Sequence, residues 1–274
     1  MRVVAQKRRV TSPFSQHDHR IRLEWAREGV ATLAVSCTVV IIVDVLSFST
    51  TVDVAVTRGA SVLPLPWRDR SEARTGAAVS AGAVPAGTVP AGAVPAGVVL
   101  AGRRGSASWS LSPSSLLDLP AGTRLALPSP NGATLSAAAA GYGATVLAGC
   151  LRNASAVAAA AVAAAGQAGA IGVVPAGERW PDGTLRPAVE DLLGAGAVVA
   201  ALARYGVGPC SPEALAAADA FQAARHRGFA DLLADCSSGR ELLAGGFGAD
   251  VALAAEYDAS AVAPVLRAGE YGPR

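Results

Sequence analysis

The run Thr38-Val-Val-Ile-Ile-Val43 stops abruptly at Asp44, which opens Asp44-Val-Leu-Ser-Phe-Ser-Thr-Thr51. A β-branched, unbroken apolar run is the pattern of a strand buried on both faces, as in a parallel sheet. A carboxylate and a hydroxyl cluster at its end mark the passage from strand to loop to helix. In open α/β sheets, ligands bind in the crevice at the carboxyl ends of such strands. A plain helix start, capped by Ser49 or Thr50 with Asp44 in solvent, would leave the same local pattern.

A second acidic group follows another apolar run, Ala170-Ile-Gly-Val-Val-Pro175. The chain there reads Ala176-Gly-Glu178, a turn at Pro181-Asp-Gly183, then Ala188-Val-Glu-Asp-Leu-Leu-Gly-Ala-Gly196. Glu178, Glu190 and Asp191 can therefore meet Asp44 across one crevice. A set of oxygen ligands suits a hard divalent cation such as Mg²⁺. Glu190 and Asp191 are neighbours on a predicted helix and point roughly 100° apart, so one of them enters the inner ligand set.

The spacing predicts βαβα order: a strand over 39–43, a helix over 49–58 closed by Gly59, a strand over 61–65 and a helix from Arg68 to about Val79. Strands are expected near 98–101, 123–127, 144–147 and 170–175, and a final edge strand over 261–265. Helices are expected over 133–140, 153–166, 187–204, 211–223 and 239–244. This is the order of a three-layer α/β/α fold with a largely parallel or mixed central sheet. Residues 1–30 read as a lead-in and 31–274 as one α/β domain. Into that domain Val84-Pro-Ala-Gly, Val89-Pro-Ala-Gly and Val94-Pro-Ala-Gly repeat every five residues. Recurring proline suits neither helix nor central strand, so an extended surface insertion at about 83–97 is expected.

Composition narrows the functional classes. The net charge is only +2 over 274 residues, and the sole basic cluster is Lys7-Arg8-Arg9, which argues against a nucleic-acid partner. The first twenty residues lack the apolar core of a secretory signal, and 30–43 is too short to span a bilayer. A cytoplasmic protein with no membrane partner is expected. Cys37, Cys150, Cys210 and Cys236 have neither C-x-x-C pairing nor a disulfide-framework spacing, and read as free thiols. The only lysine follows Gln6, so there is no Walker A loop, and neither a Gly-x-Ser-x-Gly elbow nor a Gly-x-Gly-x-x-Gly fingerprint occurs. Arginine is missing six residues after every cysteine, and Leu46 stands where a haloacid-dehalogenase motif needs its second Asp. Pro128-Ser-Pro-Asn-Gly-Ala-Thr134, between a strand and a helix, offers free N–H groups at Asn131-Gly132 that suit an anion.

Taken together, five segments resemble the motifs of the 2-phosphosulfolactate phosphatase family: D-V-L-R-A-T-T-T, T-N-G-T, F-L-N-A, C-A-G-E and A-L-E-D-L-L-G-A-G. Their counterparts are Asp44–Thr51, Ser129–Thr134, Cys150-Leu-Arg-Asn-Ala154, Pro175-Ala-Gly-Glu178 and Ala188–Gly196, in the same order. Ser47 stands in place of the motif's arginine and Pro130 in place of its threonine. The resemblance implies a Mg²⁺-dependent phosphomonoester hydrolase that converts 2-phospho-3-sulfolactate and water to 3-sulfolactate and phosphate, or acts on another small phosphorylated acid. It implies Asp44 as catalytic group and ligand, Glu178, Glu190 and Asp191 as further ligands, and Ser49, Thr50, Thr51, Asn131, Gly132 and Asn153 at the substrate. The partner is a small anionic phosphorylated substrate, and a homodimer is compatible with this reading. The rival is a non-catalytic small-anion-binding protein on the same scaffold.

Overall fold

A computed structural model describes residues 12–66 and 94–274. The expected helix from Arg68 and most of the expected insertion lie outside the described residues. The strands are β1 (Ile21–Leu23), β2 (Val39–Val43), β3 (Ser61–Pro66), β4 (Val99–Leu100), β5 (Arg124–Ser129), β6 (Thr145–Gly149), β7 (Ile171–Pro175), β8 (Glu178–Arg179), β9 (Leu185–Arg186), β10 (Val265–Arg267) and β11 (Glu270–Gly272). The helices are α1 (Ala26–Leu33), α2 (Phe48–Thr57), α3 (Gly132–Ala140), α4 (Ala154–Ala165), α5 (Val189–Arg204), α6 (Pro212–Arg225), α7 (Phe229–Asp235), α8 (Ser237–Ala244) and α9 (Gly248–Ala254).

Nine strands form one mixed sheet in the order β1-β7-β2-β6-β10-β11-β3-β5-β4. β1, β7, β2 and β6 run parallel, as do β3, β5 and β4. The β10–β11 hairpin joins the two parallel blocks by antiparallel pairing, Val265 opposite Leu147 and Tyr271 opposite Val62. The expected edge strand over 261–265 is thus corrected to a central hairpin that begins at Val265. Pro264 has no N–H to give a ladder, and its carbonyl instead accepts from Ala148 N at 3.1 Å. The parallel blocks each leave an open edge, and the hairpin covers both. The sheet also reaches back into the first thirty residues, because β1 pairs with β7 and α1 packs beside it.

Strand periodicity makes the three layers. Successive side chains of β2 point to opposite faces. Val39, Ile41 and Val43 enter one core with α4, α5 and α6, whereas Val40 and Ile42 enter the other with α1, α2 and α3. All five are completely buried, each worth roughly 1.5–3 kcal/mol of transfer free energy. Small residues set the layer spacing on the first face. A side chain at Gly194 would lie 2.6 Å from Val45 Cγ2, and one at Gly196 would lie 2.0 Å from the Ala217 carbonyl, so α5 presses directly on β2 and α6.

Candidate active site at the strand carboxyl ends

β2, β6 and β7 run in parallel register and end side by side at Val43, Gly149 and Pro175. The loops that leave them, with the start of α3, build one crevice. Asp44 is its centre and is 5% exposed, not in solvent. Its Oδ1 accepts from Phe48 N at 3.0 Å and its Oδ2 from Gly132 N at 2.9 Å. Phe48 and Gly132 are the first residues of α2 and α3, so two helix N-termini point their partial positive charge at one carboxylate. Only glycine permits this approach: a Cβ at position 132 would sit 2.3 Å from the Phe48 ring. The N–H groups expected to be free for a ligand at Asn131-Gly132 are therefore partly committed, Gly132 to Asp44.

The other acids converge as the sequence pattern suggested. Asp191, in the first turn of α5, accepts from Val45 N at 2.7 Å and from Gly177 N at 2.8 Å, and so ties the end of β2 to the end of β7. Gly177 has φ +65°, which turns the chain there without strain. Glu178 accepts from Asn131 Nδ2 at 3.0 Å, which links the β7 loop to the α3 turn. Glu190 is 2% exposed and lies beside the Cys236 thiol.

Desolvation and like charge dominate the electrostatics. Burial, with the Glu190 charge added, pushes Asp44 up to about 6 against its bonds from Phe48 and Gly132. Burial and then the Asp44 charge push Glu178 up to about 7. Asp191 is raised well above the ordinary carboxylate range by burial, then by Asp44 and Glu190. Such a cluster is under-compensated without a cation.

Oxygen donors of this kind fit a hard divalent cation. Among the described residues no group of three or more His, Cys, Asp or Glu is arranged as a ready-made cage. Small hard cations are nonetheless commonly held by one or two carboxylates, with water and substrate oxygens completing the shell. Glu178 and Glu190 suit that role, because Asp191 spends both oxygens on backbone N–H groups.

Ser49, Thr50, Thr51 and Asn153 are fully buried and brace the loops instead of facing the crevice. Their donors go to the carbonyls of Ile42 (3.0 Å), Val45 (2.7 Å), Ser47 (2.7 Å) and Ala148 (3.2 Å). Ser49 Oγ also accepts from Asp44 N at 3.1 Å, and Asn153 Oδ1 from Cys150 N at 2.9 Å. All four cysteines are free.

One residue at the crevice has no motif in the sequence. Arg104, from the loop after β4, donates to Ser47 Oγ at 3.0 Å and acts electrostatically on Asp44. The serine that stands where the resembled motif carries arginine thus receives a guanidinium from elsewhere in the chain. The only sequence hint of this was the departure at Ser47 itself.

Described residues that form a nine-stranded α/β/α sheet, with buried carboxylates gathered at the ends of its parallel strands, place the chain in the class of α/β proteins that bind ligands at that edge of the sheet. The family model described as 2-phosphosulpholactate phosphatase matches residues 28–269, nearly the whole chain. The chain belongs to that family, a family of phosphatases. No curated relative matches it. Among the described residues, no helix is long and apolar enough to cross a membrane.

Proposed function

We propose that this protein is a Mg²⁺-dependent phosphomonoesterase whose substrate is 2-phospho-3-sulfolactate or a closely similar phosphorylated hydroxy acid. The observation that carries the proposal is the carboxylate cluster of Asp44, Glu178, Glu190 and Asp191, desolvated and mutually repelling at the strand ends of a phosphatase-family chain. Glu178 and Glu190 would hold the cation, which when bound would neutralise phosphate oxygens and lower the pKa of water. Asp191 keeps the β2 and β7 loops at fixed separation.

In the reaction a water oxygen bonds to phosphorus as the ester P–O bond breaks, and the leaving alkoxide takes up a proton. Asp44 is fixed by two amide donors and suits orientation of the attacking water. Release of inorganic phosphate from 2-phosphosulfolactate and 2-phospholactate, with Mg²⁺ and with EDTA, tests the proposal. Metal-independent release would remove the cation from the reading, and no release from either compound would leave a small-anion-binding protein.

A further inference from the structure

The crevice is acidic, yet the proposed substrate carries a second anionic group besides its phosphate. Among the described residues two guanidinium groups act on the cluster: Arg186 on Glu178 and Arg104 on Asp44. Arg186 sits on the β8–β9 hairpin, donates to Ser238 Oγ at 3.0 Å and lies 6.0 Å from the exposed Trp180 ring. Arg104 is the more rigidly held. Its Nη1 pairs with Asp250 at 2.7 Å, its Nη2 donates to Leu111 O at 2.7 Å and to Ser47 Oγ at 3.0 Å, and its guanidinium lies 5.2 Å from the Phe247 ring centre.

Asp250 does not cancel this cation alone. The same carboxylate accepts from Ser112 Oγ at 2.6 Å and Ser114 N at 3.0 Å, as well as from Ser114 Oγ, so its charge is shared among several donors. A guanidinium also has more N–H groups than these three bonds use. The Arg104 side chain keeps 18% of its surface exposed, while Asp250 is wholly buried. Ser47, on which Arg104 rests, immediately precedes the Phe48 amide that grips Asp44. The result is a pre-ordered, partly exposed planar cation bonded to Ser47, one residue from the amide that supports the central acid. Its Nε–H and one Nη1–H remain to give a charge-assisted hydrogen bond to an oxyanion.

Resting on the phosphatase reading above, we infer that Arg104 binds the second anionic group of the substrate, its sulfonate or carboxylate, and thereby sets specificity while the carboxylate cluster handles the phosphate. The bland alternative is a clamp that only ties the 101–116 segment to α9.

Calorimetric titration of the full chain in Mg²⁺ with 3-sulfolactate, lactate and inorganic phosphate separates the two. Arg104→Met should weaken 3-sulfolactate by about 10- to 100-fold, the range for a lost charge-assisted hydrogen bond, and lactate equally where the bound group is the carboxylate but not where it is the sulfonate. Inorganic phosphate should stay within about twofold. Arg104→Lys keeps the charge and a donor for Asp250 if the methionine variant does not fold. It should weaken 3-sulfolactate by about three- to tenfold, with lactate following the same rule, again sparing phosphate. Equal weakening of all three probes overturns the assignment, as does no change for any. An unaltered chain that binds phosphate but neither hydroxy acid overturns it as well. The phosphatase reading fails separately, if the unaltered chain releases no phosphate from either phosphorylated acid, and the assignment goes with it.

Discussion

Two buried aspartates of this protein sit nine positions apart and live in opposite surroundings. Asp53, on α2, is fully buried and pairs with Arg152 Nε at 3.0 Å; Arg152 in turn bonds Glu256 and the Leu253 carbonyl. Asp44, at the end of β2, is bonded by amides and surrounded by Glu178, Glu190 and Asp191. One acid has its counter-charge built into the fold. The other is held by backbone amides with no guanidinium bonded to it and with like charges around it, at a cost in stability.

The contrast yields predictions of opposite sign. Asp44→Asn should lower phosphate release by about 10⁴-fold, ~5 kcal/mol of transition-state stabilisation. Its metal-free melting temperature should change little, since the charge removed from a repelling cluster offsets the one backbone N–H that Asn can no longer accept. Near-normal turnover in this variant would return Asp44 to a capping role. Arg152→Met should do the reverse. It strands Asp53 as an unpaired buried charge and should cost about 3–5 kcal/mol in denaturant unfolding. Its turnover per folded molecule should be largely kept, and a specific loss of activity at unchanged stability would erase the distinction between the two centres.

Gly132→Ala tests how the centre is held. The added methyl meets the Phe48 ring and must move the amide that binds Asp44 Oδ2, which should cost about 1–3 kcal/mol and reduce activity too. Alanine tolerated in both assays would mean that the α3 amide is dispensable.

The smallest expected effect is on the pH dependence of stability. Asp44 rises from 3.8 to about 6 and Glu178 from 4.5 to about 7 on folding. The folded protein therefore binds these protons more tightly than the unfolded chain does. Their contribution favours folding at acid pH and is lost as pH rises from about 4 to about 7, the interval between the unfolded and folded values. With EDTA, this contribution should lower the melting temperature by a few degrees across that interval. Millimolar Mg²⁺ should remove the decline near neutrality, where the carboxylates are free to ligate. A melting curve that ignores Mg²⁺ at pH 7.5 would argue against the acidic crevice as a cation site.

Much of this was legible in the chain. β2 and β7 are found at Val39–Val43 and Ile171–Pro175 because an unbroken β-branched run has few alternatives to a buried strand. The meeting of Asp44 with Glu178, Glu190 and Asp191 follows from parallel strands ending on the same side of one sheet. Three things were not legible. The hairpin β10–β11 is too short to show a period, and its central place depends on two strand edges more than a hundred residues away. The hydroxyls of Ser49, Thr50 and Thr51 look available in a motif, yet in three dimensions they fill backbone hydrogen bonds. Arg104 has no periodicity or spacing that points to Asp44, because its path to Ser47 runs through space.

The sequence by itself determined the alternation of strands and helices, the acids at the strand ends and the family to which the chain belongs. Those properties are written in local periodicity and in short contiguous motifs. Tertiary structure alone decided which carboxylates are spent on backbone amides and which arginine reaches Ser47 beside the central acid. These depend on burial and on distances between segments far apart in the chain, where an ångström or two separates a bonded carboxylate from an uncompensated one.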